Sequence, residues 1–237
     1  MKKIAIMQPY FLPYIGYFGL IKHTDEFIIF DSAQFIRHGW IERNRSLKQN
    51  GGWLYIKVPL VKHTQHTPIK DILIDRSQPW ANKIMAQLVV YKKIAPHYYR
   101  VIELVKHIIY QDHQDIVSLN RTGLMAISEY LGIKREFPVF SDMNLKIEQP
   151  KEADEWALNI CKALGDVTEY WNSPGGEAFF DRSKYDQAGI KLIFQKQVIE
   201  PYDQLRETFE PGLSIVDVLM FNSPKETNKM LDNYELT

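Results

Sequence analysis

The sequence is poor in cysteine, with a single one, Cys161, among its 237 residues. One thiol cannot form an intrachain disulfide, and a zinc site needs a cluster of cysteines and histidines. Cys161 lies in an apolar helical stretch, ALNICKAL, which favours a buried structural thiol over a nucleophile. The chain is therefore expected to be neither a disulfide-stabilised secreted domain nor a zinc module, and to work in a reducing cytoplasm.

The sequence also lacks an excess of charge of either sign. It has 29 Lys plus Arg and 29 Asp plus Glu, so its formal net charge is zero and no overall field favours nucleic acid. Long apolar runs are missing too. The first one ends at Gln8 and Pro9, which is too short for a signal-peptide core, and none approaches the about 20 residues of a membrane span. We expect a cytoplasmic protein that neither binds nucleic acid nor inserts into a membrane.

Familiar catalytic signatures are absent as well. The sequence has no Walker loop, no Gly-x-Gly-x-x-Gly after a strand, no nucleophile elbow and no His-Glu-x-x-His. His63 and His66 lie three residues apart in a polar stretch without an obvious third ligand, so no metal site is predicted there. Any chemistry must depend on less familiar combinations of side chains.

The N-terminal stretch carries the clearest structural pattern. KIAIM (Lys3–Met7) and EFIIFD (Glu26–Asp31) are short apolar runs that predict buried strands, and Pro13 between them is expected to open a helix. Two strands and a helix in this order form a right-handed βαβ unit, whose ligands bind outside the carboxyl ends of the strands. One crevice is therefore expected there, surrounded by Gln8, Tyr10, Tyr14, Asp31 and Gln34.

The rest of the chain alternates between strands and helices. Strands are predicted over residues 53–60, 66–74, 135–145, 167–171 and 191–195, and helices over residues 151–164 and from Ser214 onward. Residues 77–132 predict three amphipathic helices, the last of which ends at Gly132. Ser214 and Asp217 match a capping-box-like start, in which Asp217 would interact with the helix dipole.

These elements predict an α/β fold with a mostly parallel, Rossmann-like sheet and a helical insertion. Residues 1–76 would form the N-terminal part of the α/β core, residues 77–132 the helical insertion or lobe, and residues 133–237 the C-terminal part of the core. Whether the helical stretch is a separate domain or a cover on the sheet is left open by the sequence.

Two loops offer groups that bind anions. Arg37, Arg43 and Arg45 form the densest cluster of guanidinium groups, and such groups match phosphate oxygens bidentately. His38 lies beside them and is the best candidate for a general base, because its charge changes near neutral pH. A second loop, NSPGG (residues 172–176), follows a predicted strand, where backbone amides can surround an anionic group.

The tetrapeptide from Tyr14 to Tyr17 resembles, in its place after a strand, the His-x-Gly-His motif of nucleotidyltransferases. The likeness implies a nucleotide in the crevice, with Gly16 allowing its close approach. Both histidines of that motif are tyrosines here, and a neutral phenol cannot supply cationic stabilisation. Binding of a nucleotide or nucleotide sugar is therefore favoured over adenylyl transfer.

Several blocks in one order resemble the WbqC-like protein family. They are MQPYFLPYIGYF (7–18), FIIFDSAQF (27–35), GWIERNR (39–45), WLYIKVP (53–59), NSPGGEAFFD (172–181), GIKLIF (189–194) and PGLSIVDVLMFNSP (211–224). Members of the family are associated with gene clusters for bacterial O-antigen and other surface polysaccharides. The resemblance therefore implies a place in surface-glycan biosynthesis, rather than a particular reaction.

The favoured hypothesis is a cytoplasmic transferase that moves an acyl or aminoacyl group onto a nucleotide-linked amino sugar. The alternatives are a nucleotide-sugar-binding scaffold without catalysis and an ATP-dependent nucleotidyltransferase. The expected partner is a nucleotide sugar or another phosphorylated small molecule, and ATP with Mg²⁺ or an acyl-CoA is the candidate co-reactant. Formation of a homodimer is left open.

Sixteen residues are candidates for the site. The catalytic candidates are His38, Asp31 and Arg43. The binding candidates are Gln8, Pro9, Tyr10, Tyr14, Gly16, Tyr17, Gln34, Arg37, Trp40, Asn44, Arg45, Gly175 and Gly176.

Overall fold

A five-stranded sheet forms the centre of the protein, in a computed structural model that describes residues 2–237. The strands of the chain are β1 (Lys2–Met7), β2 (Glu26–Ile29), β3 (Arg43–Leu47), β4 (Trp53–Lys57), β5 (Val167–Asn172), β6 (Lys191–Gln197) and β7 (Tyr234–Leu236). The sheet has the order β2-β1-β5-β6-β7, and β3 and β4 pair separately as an antiparallel hairpin.

Four of the five strands run parallel. Ala5 of β1 pairs with Phe27 of β2 on one side and with Trp171 of β5 on the other, and β6 continues the parallel order beside β5. Only β7, at the edge, is antiparallel. The chain thus leaves the central β1/β5 pair in opposite directions, as in doubly wound sheets, and the predicted Rossmann-like α/β fold is confirmed.

Eight α-helices surround this sheet within residues 2–237. They are α1 (Ile15–His23), α2 (Trp80–Leu88), α3 (Tyr98–Ile109), α4 (Ile116–Tyr130), α5 (Glu155–Leu164), α6 (Arg182–Gln187), α7 (Ile215–Phe221) and α8 (Pro224–Leu231). The Asp115 side chain accepts from the Ser118 amide at the start of α4, and Gly132 follows its end with φ of 74°. No helix among the described residues combines the length and apolar character that a membrane span requires.

Alternate residues of the strands point into two separate cores. Ala5 and Phe27 pack with α1, α7 and the helices α2 to α4, whereas Ile4 and Ile28 pack on the opposite face with α5 and α6. The helical stretch therefore shares one core with the sheet. The domain boundaries at residues 76 and 132 stay a prediction.

Three sequence-based expectations were wrong. Pro13 does not open α1, because the helix begins at Ile15 and Tyr14 is its N-cap. Residues 66–74 form a 3₁₀ turn, Ile69–Asp71, with isolated bridges, since buried Ile69 and Ile72 follow the three-residue period of a turn. Residues 135–145 contain one bridge, from Val139 to Ile29, and a second 3₁₀ turn instead of a strand.

Asp217 lies in the first turn of α7, but its carboxylate binds side chains outside this helix and completes no capping box. Its side chain is completely buried and accepts hydrogen bonds from Tyr91 Oη at 2.7 Å, from Gln204 Nε2 at 2.8 Å and from Tyr202 Oη. The predicted cap at Ser214 is confirmed, since Ser214 Oγ accepts from the amide of Val216. Asp217 thus joins α7 to the helical stretch through Tyr91, and to the loop that precedes α7 through Tyr202 and Gln204.

Candidate functional site

A cleft of about 1070 Å³ opens at the carboxyl edge of the sheet. Met7 and Gln8 at the end of β1, Asn172 at the end of β5 and Phe30 just beyond β2 all line it. Open α/β sheets bind ligands at this edge, where the order of the strands reverses, and here the reversal is at the β1/β5 pair. The predicted crevice is therefore present, and it is large for a single small ligand.

Asn44 fixes the loop that forms one wall of the cleft. Its Nδ2 donates to the carbonyls of Phe11 at 3.0 Å and Leu12 at 2.9 Å, and its Oδ1 accepts from the Arg45 amide at 2.8 Å. Leu12 has a positive φ of 42°, which few residues adopt, and Ser214 Oγ also donates to its carbonyl. The loop is thus held in one conformation before any ligand arrives.

The start of the same loop is held from behind by two further side chains. Asn120 Nδ2 donates to the carbonyl of Pro9 at 2.9 Å, and Tyr17 Oη donates to the carbonyl of Gln8 at 2.7 Å. Pro9 and Tyr17 do not line the cleft, whereas Gln8 does. We expect Tyr17 to act on a ligand only through the position of this loop.

Tyr10 and Tyr14 extend along the wall of the cleft. Burial raises the pKa of both phenols, so each keeps its proton at neutral pH and can donate a hydrogen bond. The ring of Tyr14 lies over the first turn of α1, where a Cβ on Gly16 would be 2.6 Å from its ring atoms. Gly16 therefore makes room for Tyr14, and it is absent from the cleft surface itself.

Arg45 is the only charged side chain that lines the cleft among the described residues. Its Nη2 donates to the carbonyl of Gly212 at 2.7 Å, and its guanidinium lies 5.6 Å from the ring of Trp40 and 5.3 Å from that of Trp53. Its Nε is buried without a hydrogen-bond partner in the part of the chain that the structure describes. Trp40, whose carbonyl accepts from Phe11, also lines the cleft, so a fixed guanidinium and an indole lie together.

The other members of the arginine cluster lie away from the cleft surface. Arg43 donates to the carbonyls of Gly39 and His38, and its guanidinium lies 4.1 Å from the ring of Tyr55. Arg37 and His38 are exposed on the same turn and are not among the lining residues. Arg43 thus supports this turn of the chain, and the predicted roles of the three residues in binding or proton transfer stay predictions.

Asp31 lies behind the cleft rather than on its surface. It is almost completely buried, and its carboxylate accepts from the Ser141 amide at 3.1 Å and from Ser141 Oγ at 2.6 Å. Gln34, three residues further along, does line the cleft. The carboxylate of Asp31 therefore holds the 3₁₀ turn after Val139 against the end of β2.

The loop after β5 forms the opposite wall and includes Gly175 and Gly176. It begins a 3₁₀ helix, Pro174–Phe179. Asn172 orients its start, since its Oδ1 accepts from the Ser173 amide at 2.7 Å and its Nδ2 donates to Tyr170 Oη at 2.6 Å. The predicted placement of both glycines beside the crevice agrees with the structure.

Sequence patterns did not predict an aromatic part of the cleft. Phe30, Trp156, Phe179 and Phe180 line it, and the rings of Phe30 and Trp156 are 5.4 Å apart. Trp156 belongs to α5. The apolar pattern of α5 is the same as that of a helix that merely packs on a sheet. Hydrophobic periodicity alone could therefore not show that Trp156 lines the cleft. Gly212 in the PGLS segment, by contrast, did carry a turn signal.

Three carboxylates precede Trp156 in the sequence, those of Glu152, Asp154 and Glu155. All three contact the ammonium of Lys184, at 2.9, 3.1 and 3.1 Å respectively. The hydrogen bonds that Lys184 donates to these carboxylates hold its pKa above its usual range. The three carboxylates therefore share one ammonium, and none of them lines the cleft.

Comparisons with known proteins place the chain in a family. The model of the WbqC-like protein family matches residues 8–229. The Uncharacterized protein Rv1507c of Mycobacterium tuberculosis is 34% identical over 225 residues, which cover 94% of each chain. No solved structure matches the chain. The resemblance seen in the sequence is thereby confirmed, and this protein belongs to the WbqC-like protein family.

Proposed function

We propose that the cleft binds a nucleotide-linked amino sugar, onto whose amine the protein transfers an acyl or aminoacyl group. The observation that carries this proposal is a preformed cleft at the β1/β5 reversal with one fixed guanidinium, that of Arg45. Family membership supports a role in cytoplasmic biosynthesis of O-antigen or a related surface glycan.

The two walls of the cleft offer the groups that such a ligand needs. Arg45 can donate to the oxygens of a diphosphate, and the backbone amide of Gly175 can add a further donor from the facing wall. The indole of Trp40 provides a flat surface on which a nucleobase can stack. Gln8, Gln34 and Tyr10 can then bind the hydroxyl groups of the sugar.

The transfer reaction needs a stabilised carbonyl oxygen more than a strong base. The unprotonated sugar amine attacks the acyl carbon of a thioester such as an acyl-CoA; a C–N bond forms, the C–S bond breaks, and the amine proton leaves with the thiol. The phenols of Tyr10 and Tyr14 keep their protons and can donate to the oxygen as its charge develops. We assign this role to them, since His38, Asp31 and Arg43 do not line the cleft.

A thermal-shift panel tests the proposal. We expect uridine-, deoxythymidine- or guanosine-diphosphate-linked amino sugars to raise the melting temperature, because a ligand that binds the native state alone stabilises it. Incubation of the stabilising sugar with acyl-CoA should then give a product heavier by the acyl group, detected by mass spectrometry. Stabilisation by ATP with Mg²⁺ and release of pyrophosphate would contradict the proposal and indicate nucleotidyl transfer instead.

A binding subunit without catalysis is the second candidate, and one observation favours it. Among the described residues that line the cleft there is no His, Asp, Glu, Lys or Cys that could serve as a base or nucleophile. This candidate predicts a thermal shift with a nucleotide sugar but no product with any acyl donor, unless a partner enzyme is added.

A further inference from the structure

We propose that the group transferred is an uncharged, apolar acyl group, held at the end of the cleft between Phe30, Trp156, Ala157 and Phe180. This inference rests on the proposed transfer to a sugar amine. It decides between the acyl and aminoacyl groups that the proposed function leaves open.

The two ends of the cleft belong to opposite faces of the sheet. Ile6 and Ala157 are part of the core beneath α5, and Trp156 packs against that core. Tyr10 and Tyr14 pack against the core on the other face. We call the end formed by Ile6, Trp156 and Ala157 the α5 end. Its composition differs from that of the other end, which holds the two tyrosines and the guanidinium of Arg45.

The walls of the α5 end are aromatic and small apolar side chains. The rings of Phe30 and Trp156 are 5.4 Å apart, and those of Tyr170 and Phe180 are 5.7 Å apart. The one phenol here, that of Tyr170, already accepts a hydrogen bond from Asn172 at 2.6 Å. Ala157, which is nearly buried, leaves space beside these rings that a larger side chain would fill.

The apolar surface continues to the mouth of the cleft. Ile36 is 59% exposed and Phe179 is 54% exposed, yet both line the cleft. Single exposed apolar side chains are common on proteins, but two at the mouth of one apolar cleft mark a surface that a ligand can cover. An acyl chain would remove both from water.

The charges around the cleft oppose an aminoacyl group. Such a group carries an α-ammonium, which needs a carboxylate when it leaves water, and no carboxylate lines the cleft among the described residues. Near these aromatic residues in the sequence, Asp31 accepts from Ser141 and Asp181 accepts from Ser183. The carboxylates of Glu152, Asp154 and Glu155 contact Lys184.

The test compares two probes that differ by a single amino group. They are the cysteamine amides of hexanoic acid and of 2-aminohexanoic acid, titrated into the wild-type protein by calorimetry. We expect the hexanoyl probe to bind at least about tenfold more tightly, because the ammonium would be buried unpaired. Equal affinity, or tighter binding of the amino probe, would overturn the inference.

Three variants locate the binding surface. Trp156→Ala should move the preferred chain to longer acyl probes, and Ala157→Leu should move it to shorter ones, since each methylene in contact is worth about fourfold in affinity. Ala163→Leu makes the same change at an exposed position of α5 and should leave the preference unchanged. Unchanged chain-length preference in the folded Trp156→Ala protein would place the acyl group elsewhere.

The failure of this inference differs from the failure of the proposed function. If nucleotide sugars stabilise the protein but neither acyl probe binds, the inference is wrong and the sugar site stands. If the hexanoyl probe binds and no nucleotide sugar does, the acyl site stands and the proposed acceptor is wrong.

Discussion

Asn44 shows how a single polar side chain can determine the shape of the cleft. It is 3% exposed. Its amide group donates to two carbonyls of the N-terminal loop and accepts from the Arg45 amide. A chain segment between Pro9 and Pro13 cannot enter a helix or strand, so its carbonyls need side-chain donors. The loop therefore depends on a residue from the hairpin.

Replacing Asn44 by Ala should lower the free energy of unfolding by about 1–3 kcal/mol, because buried carbonyls lose their donors. For a chain of this size the melting temperature should fall by about 2–4 °C per kcal/mol. Asn50→Ala, in the exposed turn of the same hairpin, is the matched control and should change stability by less than about 0.5 kcal/mol. Equal melting temperatures for the two variants would contradict this role of Asn44.

Asp217 makes the stability of the protein depend on pH. Burial raises its pKa above the ordinary value of 3.8, although Tyr202, Tyr91 and Gln204 donate to the carboxylate. The native state therefore takes up the proton at a higher pH than the unfolded chain does. The penalty for burying the charge is fully present above the folded-state pKa and is relieved as the pH falls through it.

We predict that the wild type gains stability relative to Asp217→Asn as the pH falls from 7 towards the ordinary value of Asp, near 4. Urea unfolding of both proteins at several pH values measures this difference, in which the contributions of the other carboxylates cancel. A difference that stays constant, or that changes in the opposite sense, would show that burial does not raise the pKa of Asp217.

At the level of single residues, the sequence predicted which strand ends reach the cleft but not which partners the polar groups choose. Gln8 and Gly175 follow strands whose carboxyl ends must lie at one edge, so their placement could be inferred. Asp31 has the same position in its strand, yet its carboxylate is bound by Ser141, which is distant in the chain. No local pattern in the sequence indicates such a partner.

Helix α1 contains two glycines that contact other parts of the molecule closely. A Cβ on Gly19 would be 2.5 Å from Gln195 Nε2 and 2.6 Å from Gln197 Oε1 on β6. In α4, by contrast, a Cβ on Gly123 would be 3.6 Å from Ile108, which is an ordinary contact. Replacing glycine by alanine should therefore change the free energy of unfolding in opposite directions in α1 and α4.

Gly123→Ala should raise the free energy of unfolding by up to about 1 kcal/mol, since alanine is the better helix former. Gly19→Ala should lower it by about 1–3 kcal/mol, because two buried amide groups must move. Thermal unfolding of both variants measures the two changes in stability. A stabilised Gly19→Ala protein would mean that α1 does not lie so close to β6.

Gly16→Ala should act on the cleft rather than on stability. Its Cβ would be 2.6 Å from the ring of Tyr14, and this ring can swing away at its free end. We expect slower acyl transfer, because the displaced Tyr14 phenol donates less well to the carbonyl oxygen, with a melting temperature of the free protein close to that of the wild type. An unchanged rate of transfer would exclude a role for the position of Tyr14.

Local patterns predicted the elements whose signals lie within their own residues. The β1-α1-β2 unit and the end of α4 before Gly132 were found in this way. The strands expected over residues 66–74 and 135–145 were wrong, because an apolar run becomes a strand only where a partner edge is available. The edge strand β7 likewise depends on a partner edge, which is that of β6.

The whole molecule is built around a core that crosses the predicted boundary at residue 76. Ala5 and Phe27 of the sheet and Val101 and Leu124 of the helical stretch belong to one buried cluster. We predict a single cooperative unfolding transition with equal calorimetric and van't Hoff enthalpies, measured by scanning calorimetry. Two resolved transitions would indicate that residues 77–132 fold as a separate domain.

The central proposal, a phosphate-bearing ligand in the cleft, is tested most directly by one calorimetric comparison at the arginine cluster. The nucleotide sugar with the largest thermal shift is titrated into the wild type, Arg45→Ala and Arg37→Ala, with the melting temperature of each free protein as a check on folding. We predict that Arg45→Ala weakens binding about 10- to 100-fold, the effect of a lost charge-assisted hydrogen bond, and that Arg37→Ala leaves it unchanged. Equal affinities in the three proteins, or a loss confined to Arg37→Ala, would contradict the placement of the ligand in this cleft.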